Sequence, residues 1–275
     1  MKNLKCLCLL LLSPILLAGC SPANTPPPAT PIPSTSTPAE PTATSAPEGP
    51  ALYYEGSAQF ELISPQGVRV MINVLDPSKL TSPPTANDVL LSSRKRDDRY
   101  VPGFAEAFPG QTMVLKTGEL NIQDVSIKAI LSAGVGAFSA PKDQVPDGNT
   151  IYIIDIGGLR VADFGDIAQP QFTPEQLAAL QNVDIAITVL VGHYGDMTME
   201  NKNGFNLMDQ IKPKLIIPNY DISLEGIQYA AGKWSGYALN GPLHITRAKL
   251  PTGTKLLVMG MMADTYKSLC NLQDW

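Results

Sequence analysis

The segment Asn87–Tyr100 has the sequence NDVLLSSRKRDDRY. Val89, Leu90 and Leu91 form an apolar run with the length and β-branched flank of a buried strand. Ser92 and Ser93 follow, and then six consecutive charged residues, Arg94 to Arg99. A buried strand that empties directly into a dense charged loop is where α/β proteins place binding and catalytic groups. In isolation the same run reads as a solvated turn, because most charge runs lie on the surface. Its neighbours on either side shift that balance.

Upstream, Leu52-Tyr53-Tyr54 and Ala58 to Ile63 read as strands. Ser64-Pro65-Gln66-Gly67 is a turn, and Val68 to Leu75 returns as a hairpin partner closed by Asp76-Pro77. Downstream, a short helix is expected from Gly103 to Phe108. Thr112 to Leu115 and Val125 to Leu131 are strand-like, the second flowing into the loosened loop Ser132-Ala133-Gly134-Val135-Gly136. Ile151 to Ile156, Gly157-Gly158 and Leu159 to Ala162 make a second hairpin. A helix is expected over Phe172 to Val183, with Thr173 as N-cap, Pro174 in the first turn and Gln176 completing a capping box. Its Leu177, Leu180 and Val183 share one face. Asp184 to Val191 is an apolar strand, Phe205 to Ile211 a helix stopped by Lys212-Pro213, and Leu215 to Ile217 a short buried strand. A helix near Leu224 to Gly232, a loop and the strand Lys255 to Met259 complete the chain. Hairpins followed by strand–helix alternation predict an α/β layered sandwich: two mixed sheets with helices outside, of αββα type.

The amino terminus reads differently. Met1 to Lys5 is basic, and Cys6 to Ala18 is apolar but short for a membrane span, so residues 1–19 are expected to be a secretory signal. Leu17-Ala18-Gly19-Cys20 resembles the bacterial lipobox, which implies a lipid-bearing Cys20 and a place in the cell envelope outside the cytoplasm, anchored to the membrane. Residues 20–50 contain the lipidation cysteine and then ten prolines between Ser21 and Pro50 among alanine, threonine and serine. That composition cannot repay its ordering entropy and acts as a stiffened tether. Residues 51–275 suit one domain with a substantial core. Beyond the signal and Cys20, only Cys270 is left, so no disulfide is expected within the domain. Removing Lys2 and Lys5 with the signal takes the formal net charge from −5 to −7, which argues against nucleic acid as a partner.

Several separated stretches now fall into one order. Ser93-Arg94-Lys95-Arg96-Asp97-Asp98-Arg99 follows a strand. Asp163-Phe164-Gly165-Asp166 ends a hairpin, with Thr173-Pro174-Glu175-Gln176 opening the next helix. Ile187 to Gly192 leads to Thr198-Met199, and Lys212-Pro213 precedes Leu215-Ile216-Ile217-Pro218-Asn219-Tyr220. This order resembles the metallo-β-lactamase fold, especially the branch similar to ascorbate-6-phosphate lactonase. In that branch the corresponding motifs are T-H-x-H-x-D-H, H-x-G-D and I-P-x-H-Y, which hold one or two metal ions. The resemblance implies a metal-dependent hydrolase, but its ligands are replaced here. Arg94, Arg96 and Arg99 stand at the three histidines of the first motif, Asp163 at that of the second, and Asn219 or Tyr220 at that of the third. The histidine after the middle strand would fall near Gly134, and Asn73 stands where the family commonly has an acid. Asp98 and Asp166 alone remain of the implied ligands.

Zinc requires ligands with a free lone pair, and guanidinium has five donors, no acceptor and a permanent charge. Three arginines would place about +3 of fixed charge where the family holds cations. They are expected to pair with Asp98, Asp163 and Asp166, either as a neutral plug or with donors to spare for a small anion; buried charges survive mainly when paired, which favours the plug. His193, in a glycine loop bordering the cleft, is a candidate to orient a ligand, although such a histidine is more often structural. His244 is expected to pack in an apolar segment, and Met259, Met261 and Met262 to fill core or edge. The leading expectation is a lipoprotein with a non-hydrolytic binding or interaction module, without a cofactor, whose partner is a small anion or a protein. The alternative is a hydrolase with a divalent metal on Asp98, Asp163 and Asp166, a donor set suited to calcium, magnesium or manganese.

Overall fold

In the computed structural model, which describes residues 49–94, 100–134, 148–192, 197–219 and 222–275, the chain runs from hairpins in its first half to strand–helix units in its second. β1 (Ala51–Gly56), β2 (Gln59–Ile63) and β3 (Arg69–Ile72) form an antiparallel meander. The turn into β3 closes as its residues dictate. Gly67 adopts φ +85° and donates its N–H to the Ser64 carbonyl at 2.9 Å, while Ser64 Oγ accepts from the Val68 N–H at 3.0 Å. β4 (Val89–Ser92) lies parallel to β3, α1 (Pro102–Glu106) follows, and β5 (Gln111–Val114) lies parallel to β4.

β6 (Gly118–Ile122), β7 (Val125–Ser132), β8 (Asn149–Ile156) and β9 (Leu159–Asp163) are successive antiparallel neighbours. Gly157 and Gly158 join β8 to β9 with φ +53° and +78°, the left-handed pair that a two-residue hairpin turn demands. The second half then supplies α2 (Pro174–Ala179), β10 (Ile185–Thr188), α3 (Asn203–Ile211), β11 (Leu215–Pro218), α4 (Leu224–Trp234), β12 (Gly236–Leu239), β13 (Leu243–His244), β14 (Lys255–Met259), α5 (Ala263–Cys270) and β15 (Gln273–Asp274).

These strands make two mixed sheets. One has the order β13–β1–β2–β3–β4–β5 and the other β15–β12–β14–β11–β10–β9–β8–β7–β6. Leu52, Phe60 and Leu91 of the first sheet meet Ile127, Ile154, Ile187 and Ile217 of the second in the central layer. The outer face of the second sheet, with Ile153, Ala186 and Ile216, packs on Phe205 of α3 and Ile227 of α4. The outer face of the first, with Met71 and Leu90, packs on Phe104 of α1 and on Phe108. The layering is therefore the α/β sandwich of two mixed sheets flanked by helices. β10 and β11 are buried on both faces, which is why their sequences are continuous apolar runs without alternation. No helix among the described residues is long and apolar enough to cross a membrane.

The structure corrects several readings. α2 stops at Ala179 instead of Val183, because Leu180 leaves helical geometry and Asn182 turns left-handed at φ +59°. Leu180 and Val183 nonetheless reach the core. β10 is shorter than Asp184 to Val191, since its parallel register with β11 ends at Thr188 opposite Pro218. The segment after α4 read as a loop contains β12 and β13, and β6, α5 and β15 were not anticipated. His244 is exposed instead of packed: strand alternation turns Leu243 and Ile245 inward and the imidazole out. Met259 is core, but Met261 is 91% and Met262 47% exposed.

Candidate functional site

β4 delivers the chain to one edge of the sandwich, where polar contacts hold the loop beyond it. Ser92 Oγ donates to the Arg94 carbonyl at 2.7 Å. The N–H and Oγ of Ser93 both donate to Oδ1 of Asn73, at 3.0 and 3.1 Å. Asn73, just past β3, is fully buried with φ +50°, a conformation that asparagine tolerates better than most residues. Arg94 then turns inward. Its side chain is 3% exposed, and Nη1 lies 3.8 Å from Oδ2 of Asp166.

Asp166 is held by the loop after β9. Its backbone N–H donates to Asn149 Oδ1 at 2.9 Å, while Asn149 Nδ2 donates to the Phe164 carbonyl and to Ser132 Oγ, each at 2.8 Å. Gly165 between them has φ +52°, and a Cβ there would stand 2.3 Å from Ser93 Cβ, so the two loops touch backbone to side chain. Asn219, one residue past β11 and fully buried, donates through Nδ2 to the Gly165 carbonyl at 2.9 Å. Gly134 pairs with Ile167 across the same loop. Asn73, Ser93, Arg94, Asp166 and Asn219 thus converge at the carboxyl ends of β3, β4, β9 and β11, the edge where open α/β sheets place their ligands.

Asp163 closes β9, fully buried and in register with Tyr152 of β8. The Tyr152 hydroxyl reaches across the central layer to the carbonyls of Ser92 at 2.8 Å and Met113 at 2.6 Å, tying the second sheet to β4 and β5. Burial first, and the Asp163 charge second, push the Tyr152 phenol well above its ordinary range, so it stays protonated as a donor.

Of the residues singled out from sequence, the structure gathers Arg94, Asp163, Asp166 and Asn219 at this edge. Arg96, Asp98, Arg99, His193, Tyr220 and Cys20 lie outside the described residues. Arg94 has Asp166 within ion-pair distance. Asn149 and Tyr152 were not anticipated, and Gly165 was read only as part of the motif Asp163-Phe164-Gly165-Asp166. Asn149 and Thr150 leave a trace in the sequence, as two polar residues opening the apolar run Ile151 to Ile156. Nothing comparable marked Tyr152, whose reach across the sheets is a tertiary fact. Among the described residues no three His, Cys, Asp or Glu side chains form a group that could hold a metal ion.

Comparison with known proteins agrees with the architecture. A candidate zinc-dependent hydrolase of the metallo-β-lactamase superfamily from Thermotoga maritima superposes with a TM-score of 0.55 at 19% identity, covering 77% of this chain and 98% of that one. A candidate metal-dependent hydrolase from Parabacteroides distasonis superposes with a TM-score of 0.52 at 16% identity, covering 75% and 92%. At these identities the likeness is one of fold. A search of curated proteins found no match. The profile of the beta-lactamase superfamily domain matches residues 51–220, from β1 to the asparagine and tyrosine beyond β11. The chain therefore belongs to the beta-lactamase superfamily and has its metallo-β-lactamase fold.

Proposed function

We propose that this chain is a surface-anchored bacterial lipoprotein whose metallo-β-lactamase-like domain has exchanged its zinc site for an arginine–carboxylate cluster and serves as a non-hydrolytic binding module. The observation that carries this reading is the guanidinium of Arg94, 3% exposed and 3.8 Å from Asp166. In the lactonase-like branch Arg94 corresponds to the first histidine of the metal motif and Asp166 to the aspartate of H-x-G-D. A guanidinium so placed cannot ligate a cation and opposes one electrostatically. Among the described residues this edge offers zinc carboxylates but no imidazole or thiolate, and no group of three ligating side chains. Arg96 and Arg99 would add donors for an anion beyond those that Asp98, Asp163 and Asp166 consume. Cys20 would supply the lipid anchor and residues 21–50 the spacer.

The opposite reading, a hydrolase with a divalent cation on Asp98, Asp163 and Asp166, draws support from the burial of Asp163 and Asp166 at one edge and from the names of the two fold neighbours. Elemental analysis of the purified chain, with esterase and lactonase assays on the same sample before and after adding zinc, manganese or magnesium, separates the two. Substoichiometric metal and no metal-dependent turnover are expected. Stoichiometric metal with turnover that follows it would reverse the assignment.

A further inference from the structure

The carboxyl ends of β11, β12 and β14 lie along the same sheet edge as Asp166, and a cavity of about 540 Å³ opens there against the hairpin joining β1 to β2. Its lining from Ile222 to Tyr266 lies beyond residue 220, where the superfamily match ends. The cavity is thus lined both by the family segment, from Tyr53 to Lys79 and at Pro218, and by the residues that follow it. Its volume falls in the range that encloses a small organic ligand.

Its lining is amphipathic. Ile227, Val258 and Met259 form the apolar floor, and Tyr54 and Tyr266 stand along the walls. Tyr266 is fixed in place by donating its hydroxyl to the Ile222 carbonyl at 2.9 Å. Gly260, at φ +85°, lets β14 pass the Tyr54 ring: a Cβ there would stand 2.7 Å from that ring, so any other residue would fill the space. At the lip, Met261 is 91% and Met262 47% exposed, an unusual pair of apolar side chains to leave in water. Methionine's unbranched thioether adapts to varied apolar shapes. Lys79 also lines the cavity, its exposed Nζ donating to the Glu55 carbonyl at 3.2 Å. Glu55 lines it as well. Burial first, and then the Glu61 charge, raise its carboxyl's pKa, while the Lys79 charge lowers it.

We infer that this cavity binds an amphipathic monoanion, with an acyl body against its apolar and tyrosine lining and a carboxylate head at Lys79. The inference rests on the binding-module reading and names its ligand class. Charge complementarity selects the head group, since Lys79 is the only cationic side chain among the described residues lining the cavity.

The full chain carrying Cys20→Ser, so that no anchor lipid competes, is titrated with 1-anilinonaphthalene-8-sulfonate, and the fluorescent complex is then challenged with octanoate and with 1-octanol. Saturable one-site binding displaced by both is expected. Lys79→Met should weaken octanoate about fivefold and leave octanol unchanged, as for an exposed charge pair. Met262→Asp should weaken both about tenfold by placing a charge at the apolar lip. Thermal melts confirm that each variant folds, and Lys79 is exposed enough that its replacement leaves the core intact. Absence of saturable binding, or binding that neither substitution changes, overturns the inference. Metal-dependent turnover with unchanged octanoate binding would instead remove the non-hydrolytic reading and leave this cavity as an added ligand site.

Discussion

Arg94 is the residue on which the site's chemistry turns. Taking a guanidinium and a carboxylate out of water costs several kcal/mol per ion, and their attraction offsets this only while both are present. Arg94→Gln should therefore cost about 3 kcal/mol, because it removes one partner of a buried ion pair. Arg94→Gln combined with Asp166→Asn should recover most of that loss. Urea denaturation of the two single variants and the double variant measures the coupling, and strictly additive losses would show that the pair does not interact. Tyr152 makes a second test. Tyr152→Phe removes the donor that reaches Ser92 and Met113, at a cost of about 1–2 kcal/mol near neutral pH. The sign of the pH effect comes from its raised pKa. The unfolded chain ionises this phenol near 10.0 while the folded chain holds it neutral, so wild-type stability falls above that pH. The Phe variant lacks this loss, and the gap between the two should narrow in alkaline denaturation curves.

At the level of elements, the close approach of the β4 and β9 loops depends on one missing side chain. Gly165→Ala would combine a left-handed backbone with a contact to Ser93 far inside van der Waals distance. Loss of about 2–4 kcal/mol is expected, measured by thermal or chemical denaturation, and a neutral result would refute this packing. α2 shows what local sequence can specify unaided. Thr173 Oγ1 accepts from the Gln176 N–H and Gln176 Oε1 from the Thr173 N–H, the reciprocal capping box that the spacing predicted. The same Gln176 also donates to the Leu131 carbonyl at 2.8 Å, docking α2 against the end of β7, and no local pattern announces that contact. Similarly β12 owes its existence to lying between β14 and β15, not to its own short mixed sequence.

For the whole molecule, the second sheet is not complete within the family segment. β14 pairs directly with β11 and carries β12 and β15 beyond it, and α4 covers the outer layer. Ending the chain after Tyr220 should therefore leave Ile216 and Ile217 uncovered and yield an insoluble or molten product; a cooperative melt from such a truncation would contradict this. A protein held together by a structural metal unfolds with chelator. Here the sheets meet through an apolar layer and the Tyr152 clamp, so the melting temperature should be the same with and without EDTA. A marked fall on chelation would indicate that a metal contributes to the fold.

The sequence by itself determined the strands of the two hairpins, the capped helix α2, the buried strands β4, β10, β11 and β14, and hence the layered α/β architecture. Each of these is written in local periodicity, turn glycines or caps, which act over a few residues. Through its resemblance to the family's motifs it also marked Arg94, Arg96, Asp98, Arg99, Asp163, Asp166, His193 and Asn219 as candidates for one cleft. Only the tertiary structure decided that Asp166 lies within ion-pair distance of Arg94, that Asn149, Gly165 and Tyr152 hold the edge in place, that His244 faces out, and that residues on both sides of position 220 line one cavity. Those outcomes depend on strand order and register, which bring residues far apart in sequence to within a few ångströms, and no periodicity along the chain encodes a distance across it.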